Sequence, residues 1–205
     1  MSEHEHYFTA RPASPGEQRT LDVTLAGRAV TVRTAPGIFS PEGLDKGTAV
    51  LLREVPAPPA EGHLLDLGCG WGPIALTLGL LSPDATVWAV DVNERSVALA
   101  QANARSLGLS GVRALTPDEV PDDVRFAAIW SNPPIRVGKA ALHAMLLQWL
   151  PRLEAGGAAH LVVQKNLGSD SLQRWLRQQL PFDAYAVERF ASDKGFRVLA
   201  VHRLA

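Results

Sequence analysis

The chain has 205 residues, 46% of them apolar and 20% charged, with a formal net charge of −1. That length fits one domain with at most a small appendage, and the apolar content excludes disorder throughout. Balanced charge excludes binding nucleic acid through overall positive charge, the single cysteine, Cys69, excludes a disulfide framework, and no apolar run nears a bilayer span. The first residues carry no basic-then-apolar leader, so a cytoplasmic enzyme is expected. The six scattered histidines offer no metal-ligand spacing, and no metal is expected.

Residues 20–25 and 29–33 alternate around Ala26-Gly27, which predicts a hairpin. Pro41 opens a helix predicted from Glu42 to Glu54. The stretch Val55 to Ala60 is a stiff linker, because its three prolines cannot continue a helix. We therefore separate residues 1–59, a hairpin and helix, from residues 60–205, the two forming one compact unit. Strands are predicted at 63–67, 86–91, 112–115, 126–130 and 158–164. Helices are predicted at 74–81, 94–107, 140–153 and from a cap at Ser169 to about Gln179. Residues 184–190 and 196–202 follow with no helix between them. Alternating strands and helices predict an α/β fold with a mostly parallel sheet and helices on both faces. The helix-free final pair implies an antiparallel strand near one edge.

Asp66-Leu67-Gly68-Cys69-Gly70-Trp71-Gly72 follows the first sheet strand and opens a helix. Glycines allow the sharp turn and the close approach of a ligand to the backbone, at the strand edge where such sheets bind ligands. A dinucleotide fingerprint needs a glycine where Pro73 stands, and Pro73 has no N–H to offer a pyrophosphate. An acidic residue before the glycines suits a ligand with an ammonium group. Asp91, at the end of the second strand, can accept ribose hydroxyls. These residues resemble the cofactor motif of class I S-adenosylmethionine-dependent methyltransferases. The resemblance implies Asp66, Gly68, Gly70 and Gly72 around the methionine part, Asp91 on the ribose and Asp118 near the adenine. It also implies a Rossmann-like sheet of seven strands with the last antiparallel.

Ser131-Asn132-Pro133-Pro134-Ile135 follows the fourth strand. Two prolines stiffen this loop, so the Asn132 side chain and the Pro133 carbonyl can act as a fixed pair of acceptors for an exocyclic amine. Asn-Pro-Pro beside the glycine turn resembles methyltransferases acting on amino nitrogens conjugated to a ring or carbonyl. His6-Tyr7-Phe8, Gly37-Ile38-Phe39-Ser40, Leu44-Asp45-Lys46-Gly47-Thr48, Asn132 to Lys139, Gln164-Lys165 and Lys194 to Leu199 together resemble the catalytic half of the small-subunit ribosomal RNA guanine-amine methyltransferases. That likeness implies catalysis by Asn132, Pro133, Pro134 and Ile135, and a lid of Phe39, Ser40, Asp45 and Thr48 over the methionine end. Residues 1–59 are then the hairpin and lid, and 60–205 the catalytic domain. The implied substrate is guanine in ribosomal RNA. Protein glutamine or adenine, and a non-catalytic RNA-binding module, are the alternatives. Ile135 stands where such enzymes often carry a stacking aromatic ring. Arg136, Lys139, Lys165, Asn166, Lys194 and Arg197 are expected to gather as a local phosphate patch.

Overall fold

The computed structural model describes residues 17–205. It opens with a hairpin, β1 (Arg19–Leu25) and β2 (Arg28–Thr34), followed by α1 (Lys46–Glu54). Seven strands then form one sheet: β3 (His63–Leu67), β4 (Thr86–Val90), β5 (Val112–Leu115), β6 (Phe126–Ser131), β7 (Leu153–Gln164), β8 (Tyr185–Asp193) and β9 (Phe196–Arg203). The helices α2 (Pro73–Leu81), α3 (Glu94–Ser106), α4 (Lys139–Trp149) and α5 (Ser169–Gln179) connect them. The sheet order is β5-β4-β3-β6-β7-β9-β8. Strands β5 to β7 pair in parallel, and β9 runs antiparallel to both neighbours. This is the expected Rossmann-like sheet, with its antiparallel strand one place in from the edge.

Several boundaries differ from the sequence expectation, four of them for a clear local reason. Helix α1 begins at Lys46, four residues after Glu42, because Asp45 keeps an extended backbone and caps the helix by accepting from Gly47 N and Thr48 N. Helix α4 stops at Trp149, since Pro151 has no N–H to continue it, and a 3-10 turn over Leu150–Arg152 follows. Strand β7 consequently starts at Leu153. Ser169 does not cap α5; Gly168, left-handed at φ 97°, holds that position, and Ser169 is buried.

Apolar side chains fill both faces of the sheet. Leu65, Trp88, Ile129, Leu161 and Leu199 pack beneath Leu146 and Trp149 of α4 and Leu172 and Leu176 of α5. On the other face Leu64, Ala89, Trp130 and Val198 share a core with Ile74 and Leu78 of α2 and with Leu99 of α3. Leu25, Val32, Ile38, Val50 and Leu51 of the N-terminal segment belong to this second core, and none is more than 6% exposed. Hydrogen bonds hold the same segment down. Asn103 accepts from Arg33 N at 2.7 Å and donates to Arg33 O and Trp71 O, each at 2.9 Å. Arg95 donates to Pro36 O at 2.9 Å, and Asn93 to Gly37 O at 3.2 Å.

The order of the strands decides what lies together. Strands β3 and β6 are parallel neighbours, although α2, β4, α3 and β5 separate them in sequence. From β3 the chain turns toward β4 on one side, and from β6 toward β7 on the other. The loops leaving β3 and β6 therefore flank the crevice where open sheets bind ligands.

Candidate active site

The glycine turn and the Asn-Pro-Pro loop meet at that crevice. Ser131 Oγ donates to Leu67 O at 2.6 Å and ties the two strand ends together. A Cβ built on Gly68 would lie 3.9 Å from Pro134 Cδ, an ordinary contact that sets the two loops side by side, and it is the left-handed φ of 81° that favours glycine there. Phe39, Ser40, Asp45, Thr48, Gly68, Cys69, Gly70, Trp71, Pro73, Ile74 and Asn132 line a narrow cleft here. A wider recess, lined in part by Val92, Thr116, Pro117 and Asp118, lies beyond Asp91.

Asp91 links the two, bonded to Gly70 of the narrow cleft and followed by Val92 of the wider recess. Its Oδ2 accepts from Gly70 N and its Oδ1 from Asn93 N, both at 2.9 Å. These bonds fix the carboxylate and leave lone pairs for a further donor. Burial raises its pKa, and the Asn93, Gly70 and Val92 N–H groups oppose that rise. Asp118 is exposed on a 3-10 turn in the wider recess. Val92 joins it there, 71% exposed, an apolar surface directly after Asp91 that sequence reasoning did not single out.

Asp66 and Gly72 stand apart from the cleft wall. Asp66 is fully buried; Oδ2 accepts from Ala75 N at 2.9 Å, while Oδ1 has no protein partner. Burial pushes this carboxyl up to about 8, against the pull of the Ala75 N–H. Gly72 has φ 96°, and a Cβ there would come within 3.2 Å of Ala100 Cβ. Its glycine is therefore required by the contact between α2 and α3. Burial also pushes the Cys69 thiol up, which leaves it unreactive.

The N-terminal segment forms the opposite wall. Trp71 Nε1 donates to Ser40 O at 3.2 Å, clipping this wall to the glycine turn. Ser40 is left-handed at φ 48°, a strained conformation for a residue with a side chain, and its hydroxyl donates to Gly43 O at 2.8 Å. Phe39 remains 47% exposed at the mouth. Asn132 Nδ2 donates across the cleft to Asp45 Oδ2 at 2.8 Å and to Thr48 Oγ1 at 3.0 Å. Both amide hydrogens are thus used, and Oδ1 is left as the acceptor.

Pro133, Pro134 and Ile135 lie behind Asn132. Ile135 N donates to Pro133 O at 2.8 Å, and Pro134, at φ −73° and ψ 78°, is the centre of an inverse γ-turn. The Pro133 carbonyl therefore has one lone pair occupied and one free. Ile135 packs half-buried against the core of the α4 and α5 face.

The expected basic cluster is divided. Lys165 N donates to Gly195 O at 2.8 Å, bringing exposed Lys165 and Asn166 beside exposed Lys194, and Lys139 is exposed after the Asn-Pro-Pro loop. Arg197 does not join them: it is buried and ion-paired with Asp170 of α5, because alternation along β9 turns it to that face. The Arg136 side chain and His6-Tyr7-Phe8 lie outside the described residues. Among the described residues no group of three or more His, Cys, Asp or Glu could hold a metal ion, and no helix is long and apolar enough to cross a membrane.

The family model of the methyltransferase small domain matches residues 29–200. An uncharacterized protein of Bacillus subtilis, YbxB, is 33% identical over 203 residues, 98% of this chain and 99% of that protein. Ribosomal RNA small subunit methyltransferase C of Aeromonas hydrophila is 33% identical over 174 residues, 82% of this chain and 48% of that protein. Among solved structures, the T. thermophilus 16S rRNA N2 G1207 methyltransferase in complex with AdoMet and guanosine superposes with a TM-score of 0.76 at 25% identity, covering 94% of this chain and 52% of that one. The chain thus spans about half the length of the ribosomal RNA methyltransferases it matches.

Proposed function

This chain belongs to the methyltransferase small-domain family, and from that premise we propose that it methylates an exocyclic amine of guanine in small-subunit ribosomal RNA. It is an S-adenosylmethionine-dependent methyltransferase. The cleft suits that cofactor: a glycine turn that lines it at Gly68 and Gly70, and beside it a fixed carboxylate with free lone pairs at Asp91. Phe39, Ser40, Gly68 and Gly70 would hold the methionine end, Asp91 the ribose hydroxyls, and Val92 and Asp118 the adenine. Asp66 would act from behind the turn, where it is buried and accepts from Ala75 N in α2. Bound there, the cofactor supplies a methyl group made electrophilic by its sulfonium.

One observation carries the choice of an amine: Asn132 Oδ1 is held at the cleft with both amide hydrogens already committed. It accepts one N–H of the target amine, and the free lone pair of the Pro133 carbonyl accepts the other. Two acceptors in fixed positions pull the amine lone pair out of conjugation and aim it at the methyl group, which is catalysis by positioning and electrostatics. The nitrogen would gain the methyl as the carbon–sulfur bond breaks and leaves a neutral thioether, and it would release a proton to solvent. Exposed Lys139, Lys165 and Lys194 would supply local positive charge for phosphates despite the net charge of −1.

The test offers labelled S-adenosylmethionine with small ribosomal subunits, free ribosomal RNA and ribosomal protein, followed by nucleoside digestion. Label on the guanine amino group supports the proposal. Label on adenine or on protein glutamine, or none on any acceptor, refutes it.

A further inference from the structure

We infer, resting on the amine-methylation reading, that Asp45 is a positioning residue that sets the orientation and acceptor strength of the Asn132 amide. Asp45 caps α1, and its Oδ2 receives three N–H groups: Gly47 N at 2.7 Å, Thr48 N at 3.1 Å and Asn132 Nδ2 at 2.8 Å. A carboxylate oxygen only accepts, so Asn132 must turn its NH₂ toward Asp45. The flipped amide would set two acceptor oxygens 2.8 Å apart. Thr48 Oγ1 takes the other amide hydrogen at 3.0 Å, which leaves Oδ1 no alternative but to face the cleft.

The arrangement is wedged in place. A Cβ on Gly47 would meet Asp45 Oδ2 at 2.9 Å and the Phe196 ring at 3.0 Å, so the start of α1 is pressed between its own cap and β9. A charged acceptor also does more than orient. Hydrogen bonds to an ionised group are about twice as strong as neutral ones, and such bonds polarise their partners. Charge drawn from Nδ2–H toward Asp45 raises the negative charge on Oδ1, the atom offered to the amine. Asp45, which also lines the cleft, acts on the amine by way of Asn132.

The test uses the full chain. Asp45→Asn keeps the shape and a good helix cap but removes the charge; Asp45→Ser keeps the cap and withdraws the oxygen. Each is measured alone and in an Asn132→Ala background, with single-turnover methyl transfer to small ribosomal subunits and calorimetric titration of S-adenosylmethionine. Asp45→Asn is expected to slow transfer about tenfold or more while cofactor affinity stays within about threefold, because the lost interaction concerns the transition state. In the Asn132→Ala background the same substitution costs less than about twofold, since the two side chains act as one unit. An equal loss in both backgrounds overturns the inference. If the unsubstituted protein transfers nothing to the subunits or to free ribosomal RNA, the RNA proposal fails and Asp45 is judged on the Asn132 side-chain amide protons. These should exchange at least about tenfold more slowly than those of exposed Asn166, and lose that protection in Asp45→Ser. Equal exchange at the two asparagines overturns the inference by itself.

Discussion

Asn132→Asp replaces one atom group and reverses one interaction. The amide nitrogen that donates to Asp45 Oδ2 at 2.8 Å becomes an oxygen, and two carboxylates then share a half-buried site. With charge centres about 4 Å apart and an effective dielectric constant near 20, their repulsion is about 4 kcal/mol. That equals about 3 pH units, so the introduced carboxyl, ordinarily near 3.9, titrates at about 7. Below that pH it carries a proton, donates to Asp45 as the amide did, and still offers an oxygen to the target amine. Above it, the charges drive the two side chains apart and the acceptor is displaced. Methyl transfer by the variant, relative to the unsubstituted protein, should therefore fall about tenfold per unit as pH rises past 7. Single-turnover rates at saturating cofactor between about pH 5.5 and 8.5 measure the ratio, and carboxyl carbon resonances measure the titration. A flat ratio together with an introduced carboxyl titrating in the ordinary range would refute the Asn132–Asp45 contact and everything built on it.

Gly72→Ala must place a side chain at φ 96° and 3.2 Å from Ala100 Cβ; left-handed strain of about 1–2 kcal/mol and overpacking of about 1–3 kcal/mol should appear in urea unfolding, with cofactor affinity of the folded protein unchanged. A stable variant that had lost cofactor would put Gly72 back on the cleft wall. Burial holds Asp66 at about 8 in the folded chain against 3.8, so the folded state keeps a proton that the unfolded chain sheds. That contribution is complete below about pH 4 and is lost as pH rises toward 8, by up to about 1.4 kcal/mol per unit. Relative to Asp66→Asn, which cannot titrate there, the unsubstituted protein should weaken steadily across this window in thermal unfolding; a constant difference would exclude a buried, protonated Asp66. A chain beginning at Ala60 loses Leu25, Val32, Ile38, Val50 and Leu51 from the core. At about 1.5–3 kcal/mol for each, that is on the order of 10 kcal/mol, comparable to the whole stability of a domain. Circular dichroism in urea should show no cooperative transition, and a sharp one would make the N-terminal segment dispensable to the fold.

Local chemistry settled a good deal of this protein before any tertiary contact was known. The alternation around Ala26-Gly27, the strand–glycine turn–helix of residues 63–81 and the helix-free pair at the end are periodicity and turn signals, which neighbouring residues are enough to set. Where an element boundary depended on a cap, the pattern missed it, running past Asp45 and stopping one residue short of Gly168, because hydrophobic period marks a helix face and says little about its first turn. Sequence also brought forward both loops of the site. It could not bring them together: residues 68–72 and 132–134 meet only because β6 pairs with β3 while β4 and β5 lie on the far side. The same pairing separates the motif glycines, setting Gly68 and Gly70 at the cleft and turning Gly72 into α3. Alternation along β9 buries Arg197 against α5, a sign that charge alone does not carry. Asp45 is the clearest case. In the chain it reads as a helix cap and as a member of a family motif. Its carboxylate meets the Asn132 amide only when α1 is laid across the end of the sheet, 87 residues away in sequence. A hydrogen bond between distant segments depends on the path of the whole backbone, and nothing local to either residue encodes it.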